Sequence, residues 1–134
     1  MTFFDECLEV LGKQASIIEN KENKSQKIIK ELEKKFPISV SGRIAWDKIN
    51  KKEEIISIKS FVSKLKQIGK FSSNLVYIIW DNAEIPVVKS SLMPILENID
   101  DITAVSFYVW IFDPSAGWVA ELHNDGTITL GLSE

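Results

Sequence analysis

The chain has 134 residues, of which 45% are hydrophobic and 26% charged, with a formal net charge of −3 at pH 7. This length suits one domain, and the composition excludes a disordered or fibrous chain. No apolar run approaches the about 20 residues that cross a bilayer, and acids rather than lysines follow Met1. We therefore expect a single cytoplasmic domain over residues 1–134, with no signal peptide and no membrane contact.

The two halves of the chain carry opposite charge. Residues 1–67 hold 14 basic and 10 acidic side chains, a balance of +4, whereas residues 68–134 hold two and nine, a balance of −7. Complementary charge speeds the encounter of two proteins and penalises wrong partners. The asymmetry indicates a basic partner for the C-terminal half. The alternative is that these acids only improve solubility.

Two helices are predicted near the N-terminus. Thr2 and Asp5 have the spacing of a capping box, and the apolar residues that follow recur at helical spacing, which predicts a helix over about residues 3–18. A second apolar stripe ends at Phe36 before Pro37, and we expect its helix to pair antiparallel with the first. Glutamates alternate with the lysines of this region, which favours a solvated helix face over a nucleic-acid site.

The middle of the chain alternates between predicted strands and helices. Residues 43–49 predict a short strand with Ile44 and Trp46 on one side. Ser57 is placed to cap a third helix, and Gly69 to end it. Leu75–Trp80 is apolar on both faces, which is typical of a strand covered on both sides in mid-sheet.

The remaining pattern predicts one more helix and the end of the sheet. Pro86 lacks an N–H group, so residues 85–88 are expected at a sheet edge or outside the sheet. Ser91 can cap a short helix, and residues 104–112, 117–123 and 127–132 predict three consecutive strands. The predicted fold class is α+β: N-terminal helices packed on a mainly antiparallel sheet that ends in a three-stranded C-terminal meander. The fourth helix is expected to turn four apolar side chains inward: Leu92, Ile95, Leu96 and Ile99.

The last turn determines which residues of the final hairpin face the core, because a shift of one residue reverses every side chain. A three-residue loop over 124–126, with Gly126 left-handed, separates apolar from polar residues, whereas a two-residue loop mixes them. We therefore predict the three-residue loop. It places Trp118, Ala120, Leu122, Ile128, Leu130 and Leu132 in the core, and Val119, Glu121, His123, Thr127 and Thr129 on the other face.

The turn over residues 113–117 leaves two registers open. A four-residue loop places Phe107, Val109 and Ile111 on the core face and their neighbours beside Glu121, whereas a five-residue loop exchanges the two sets. Under the first register, the second face of the meander is either an aromatic and acidic partner interface or is covered by a further helical layer. The neighbours beside Glu121 are Tyr108, Trp110 and Phe112.

Catalytic and cofactor motifs are missing from the sequence. His123 is the only histidine, and the six glycines are isolated. Cys7 is the only cysteine, and we expect it to be a core thiol. We predict no catalytic residues, no metal, no cofactor and no enzyme activity. Carboxylate pairs, at residues 100–101 and 81/84, leave a cation site or an enzyme as minor alternatives. Nucleic acid is not an expected partner, because the acidic half would repel phosphates.

The C-terminal stretch Trp110–Gly131 (WIFDPSAGWVAELHNDGTITLG) resembles bacterial immunity proteins encoded beside toxins of contact-dependent growth inhibition and related polymorphic-toxin systems. A looser likeness extends to residues 75–80 and 84–99. The resemblance implies a small cytosolic protein that binds and neutralises the toxic C-terminal domain of a cognate effector, commonly a nuclease. It carries over no binding residue.

Charge, missing chemistry and resemblance together predict a toxin-neutralising immunity protein, as a monomer or weak dimer, with a basic toxin domain as partner. Acids that mimic phosphates can occupy the basic cleft of a nuclease. A non-catalytic protein-binding adaptor or regulatory domain is the alternative, and the neighbouring reading frame distinguishes the two. The predicted contact residues are Asp81, Glu84, Asp100, Asp101, Asp113, Glu121 and Asp125.

Overall fold

A computed structural model describes residues 2–18, 23–72 and 75–133. The described helices are α1 (Phe3–Leu11), α2 (Lys24–Lys35), α3 (Ile58–Gln67), α4 (Leu92–Glu97) and α5 (Ile99–Thr103). The described strands are β1 (Ser16–Ile17), β2 (Lys52–Ile55), β3 (Leu75–Trp80), β4 (Val88–Ser91), β5 (Val109–Asp113), β6 (Trp118–Leu122) and β7 (Ile128–Leu132). They form one antiparallel sheet in the order β1-β4-β3-β5-β6-β7-β2. The predicted α+β class and C-terminal meander are confirmed.

The sheet is covered on both faces. Helices α1, α3, α4 and α5 pack on one face around a first core that includes Phe61, Ile78 and Trp118. On the other face, α2 and the irregular segment 36–49 enclose a second core, in which Phe36 lies edge-on to Phe112. The expectation of a further layer over the second face is therefore confirmed, and Trp110, Phe112 and Glu121 are buried beneath it.

The first predicted helix is shorter than expected. The Thr2–Asp5 capping box is confirmed, but α1 stops at Leu11 because Gly12 adopts a φ of 76°. After a 3₁₀ turn, the chain enters β1 instead of continuing as helix to residue 18. The predicted antiparallel pairing of the first two helices is also wrong, because α1 packs in the first core and α2 in the second, with the sheet between them.

In the middle of the chain, the predicted ends of the third helix are confirmed, but the strand predicted before it is not. The Ser57 cap is confirmed, as is the positive φ of Gly69 after α3. The strand predicted over residues 43–49 is wrong: the structure has an isolated bridge between Ile38 and Ile44, followed by a 3₁₀ turn. Strand β2 escaped prediction because three of its four residues are exposed and polar or charged, as an edge strand allows.

Both hairpin registers are settled. Leu122 pairs with Ile128, which confirms the three-residue loop, and Gly126 has a φ of 90°. Asp113 pairs with Trp118, so the preceding loop has four residues. This register places Val109 and Ile111 in the first core and Trp110 and Phe112 in the second. Phe107, expected in the core, instead precedes the strand and is 85% exposed.

Candidate partner interface

Three connections meet at one end of the sheet, and two of them carry acids. Because β3 and β6 end there while β5 and β7 begin there, the connections 81–87, 104–108 and 123–127 lie side by side. None of the three contains a Lys or Arg. We call this region the acidic end and define it by the exposed residues Asp81, Glu84, Asp100 and Asp125.

An open groove of about 710 Å³ lies at the acidic end. Asp100 lines it, as do Asn82 and Asn124, which are the chain neighbours of the exposed Asp81 and Asp125. Two phenylalanines also line it, and they are unusually exposed for their size, Phe3 at 63% and Phe107 at 85%. The groove therefore combines negative charge with exposed aromatic surface, a composition typical of a protein interface.

Backbone amides hold the connections at the acidic end in place by hydrogen bonds. The Asp81 amide donates to the Tyr108 carbonyl at 3.0 Å, which ties the two central connections together. The Glu84 amide donates to the Asn82 side-chain oxygen at 2.9 Å, which closes a tight turn after β3. The backbone that carries the Asp81 and Glu84 carboxylates is thus fixed by hydrogen bonds within the protein.

The exposed acids of the acidic end have no basic ion-pair partner in the part of the chain that the structure describes. Within residues 2–18, 23–72 and 75–133, no Lys or Arg forms an ion pair with Asp81, Glu84, Asp100 or Asp125. The backbone N–H and the hydroxyl of Thr127 both donate to the Asp125 carboxylate. These bonds, the backbone one most strongly, lower the pKa of Asp125 below its usual value. Asp125 therefore stays ionised at neutral pH.

Asp101 is turned toward α1 and is only partly exposed. Its carboxylate is the second cause, after burial, of the raised pKa of the Cys7 thiol, which is about 11. Cys7 is fully buried in the first core, which confirms the expectation of a core thiol.

Two of the predicted contact acids lie away from the surface. Asp113 is 2% exposed, and its Oδ1 accepts a hydrogen bond from the Ala116 amide at 3.0 Å. Glu121 is 1% exposed in the interior of the meander. Their burial does not fit the expectation that they contact a partner directly, because the covering segment 36–49 and the 114–117 turn use both carboxylates internally.

Glu121 belongs to a polar cluster that the sequence did not reveal. The Trp46 indole donates to one carboxylate oxygen, and Arg43 Nη2 lies 3.4 Å from the other. The Arg43 guanidinium also stacks on the Tyr108 ring, 3.6 Å from its centroid. The cluster fastens segment 43–46 to the sheet. The only sequence signal was an acid in the otherwise apolar strand β6.

Comparison with known families identifies the chain. A family model described as CdiI immunity protein, EcoliA0-like, matches residues 1–131. The chain belongs to the CdiI immunity protein family. Its members are associated with toxin neutralisation, and immunity proteins of this kind are generally non-catalytic. No curated protein matches the sequence.

The opposite end of this immunity protein's sheet is built differently. Lys35 Nζ donates to the Pro114 carbonyl at 2.8 Å, and Lys70 Nζ donates to the Ala116 carbonyl at 2.5 Å. Both lysines thus close the four-residue turn between β5 and β6. At this end, the charged groups of the two lysines bind the backbone of the protein's own turn.

Among the described residues, no three His, Cys, Asp or Glu side chains are grouped so that they could hold a metal ion. His123 Nε2 contacts the Thr129 hydroxyl at 3.0 Å, which gives the ring a partner on its own hairpin. In the same ranges, no helix has the length and apolarity needed to cross a membrane.

Proposed function

We propose that this immunity protein neutralises its cognate toxin by direct contact through the acidic end, and that the toxin domain is a basic nuclease. One observation carries the proposal: Asp100 and two exposed phenylalanines line an open groove, and the exposed Asp81, Glu84 and Asp125 at the same end of the sheet have no ion-pair partner among the described residues. Unpaired acids attract and orient a basic surface, whereas aromatic side chains supply affinity once the surfaces meet.

A nuclease is the toxin class that fits this charge best. An enzyme that binds phosphodiesters needs a basic cleft, and carboxylates at the acidic end can take the place of phosphates there. The immunity protein exposes 7683 Å², so the ~800 Å² per partner of a standard interface would use about a tenth of its surface. We propose that the acidic end supplies this contact area.

The proposed contact residues are the four acids that define the acidic end, together with the partly exposed Asp101. Asp113 and Glu121 leave this set and act on binding only through the fold. We further propose that the protein has no catalytic role, acts in the cytoplasm as a single domain, and binds as a monomer or weak dimer. The five acids are Asp81, Glu84, Asp100, Asp101 and Asp125.

Co-expression tests the proposal. The immunity protein would be produced together with the C-terminal fragment encoded by the adjacent large reading frame, and both growth and co-purification would be scored. We expect the fragment alone to stop growth, and the immunity protein to restore growth and to purify with it. A harmless fragment that still co-purifies would favour the adaptor function. No rescue and no complex would refute the proposal.

A further inference from the structure

We infer that the groove at the acidic end receives a Lys or Arg side chain from a loop of the toxin, with Phe107 as the main anchor on the immunity protein. This inference rests on the proposed function and names the chemistry of the contact. It is carried by the arrangement of one carboxylate, two exposed aromatic rings and two amides around one groove, those of Asp100, Phe3, Phe107, Asn82 and Asn124.

Phe107 has the properties of an anchor. At 85% exposure it leaves most of a large apolar ring in water, whereas most aromatic residues of this chain are buried or partly buried. Its neighbour Tyr108 is fixed on one side by the stacked Arg43 guanidinium and, through its carbonyl, by the Asp81 amide. A ring held on an ordered backbone loses little freedom on binding, and buried aromatic anchors dominate many interfaces.

The groove is suited to a long cationic side chain. The aliphatic stem of Lys or Arg can pack against Phe3 and Phe107, and its charge can reach the Asp100 carboxylate. A cation near an aromatic face gains further attraction, and Arg gains more than Lys because its planar group stacks and donates several hydrogen bonds. Asp100 in the groove, with Asp81 and Asp125 exposed at the same end of the sheet, would repel an anionic group, so an acidic or phosphorylated partner does not fit.

Truncation of the anchor is the first test. Phe107→Ala removes the exposed ring without opening the core, and Met93→Ala is the control, since Met93 is 40% exposed at the opposite end of the sheet. With the adjacent gene's C-terminal fragment as the probe, we expect Phe107→Ala to raise Kd at least ~10-fold, mainly through faster dissociation. Met93→Ala should stay within about twofold, and both variants should melt like the parent protein.

Charge exchange is the second test. Asp100→Lys should weaken binding of the same fragment, and screening single Lys→Glu and Arg→Glu variants of the fragment should find one that restores it. That recovery would identify the side chain seated in the groove. If the parent protein binds but Phe107→Ala binds as tightly as Met93→Ala, or if no fragment variant restores Asp100→Lys, the inference is overturned while the proposed function stands. If the parent protein does not bind, both fail.

Discussion

The acidic end and the interior of the meander use carboxylates in opposite ways. At the acidic end, Asp81 and Asp100 are exposed and have no ion-pair partner among the described residues. In the interior, Asp113 and Glu121 are almost completely buried, and each is bonded to groups of the same chain. The same residue type thus stabilises the fold where it is covered and stays available to a partner where it is not.

The comparison also explains the position of the bases. Lys35 and Lys70 donate to carbonyls of the turn over residues 114–117, and Arg43 is used by Glu121. These cations are held at the turn and on the second face of the sheet. Within the described part of the chain, none of these three cations forms an ion pair with an acid of the acidic end.

The largest effect is expected from Glu121→Ala, which tests whether a covered carboxylate is structural. The change leaves the Trp46 N–H and the Arg43 charge without their acceptor, and Arg43 can recover only part of its hydration because its side chain is 41% exposed. We expect the free energy of unfolding to fall by about 2–3 kcal/mol in urea denaturation.

Two controls sharpen this test. Glu54→Ala removes an exposed acid from β2 and should change stability by less than ~0.5 kcal/mol. Glu121→Gln should lose less than Glu121→Ala, because its amide oxygen can still accept the Trp46 hydrogen bond. Equal stability of the Glu121→Ala and Glu54→Ala variants would show that the buried carboxylate stabilises the fold no more than the exposed one does.

A smaller loss of folding stability is expected at high pH, because the buried Cys7 thiol resists ionisation. Its pKa is raised from 9.0 to about 11 in the folded protein, so the unfolded chain loses the thiol proton first and stability falls as pH rises through this range. Between pH 8 and 10 the loss should be about 1 kcal/mol. Cys7→Ala should lack this component, and parallel stability curves for the two proteins would contradict the burial of a neutral thiol.

The sequence predicted much of the fold because many local signals agreed with the tertiary structure. The Thr2 cap, the Ser57 cap and the register of the last hairpin depend on near neighbours and are confirmed. Helix α1 was predicted too long because apolar spacing continued past Gly12, whose positive φ ends the helix. Strands β1 and β2 are short edge strands and have no clear alternating pattern.

The exposure of the candidate site residues was predictable only where no distant segment of the chain covers them. Asp81, Glu84 and Asp125, predicted as contact residues from the charge of the C-terminal half, are exposed as such a contact requires. The burial of Glu121 could not be predicted, because the segment over it is irregular and its partners Arg43 and Trp46 are about 75 residues away along the chain. The exposure of Phe107 also depended on where β5 begins, which the apolar pattern of residues 104–112 did not define.

Association kinetics test the central claim most directly. The triple variant Asp81→Lys, Asp100→Lys and Asp125→Lys would be compared with the control Glu9→Lys, Glu33→Lys and Asp47→Lys. All six acids are exposed, and each set changes the net charge from −3 to +3, because every reversal adds two charges.

With the toxin fragment at low ionic strength, we predict that the acidic-end variant associates at least ~10-fold more slowly than the control and depends less on salt. Equal association rates and equal salt dependence for the two variants would contradict the claim that the acidic end receives the toxin.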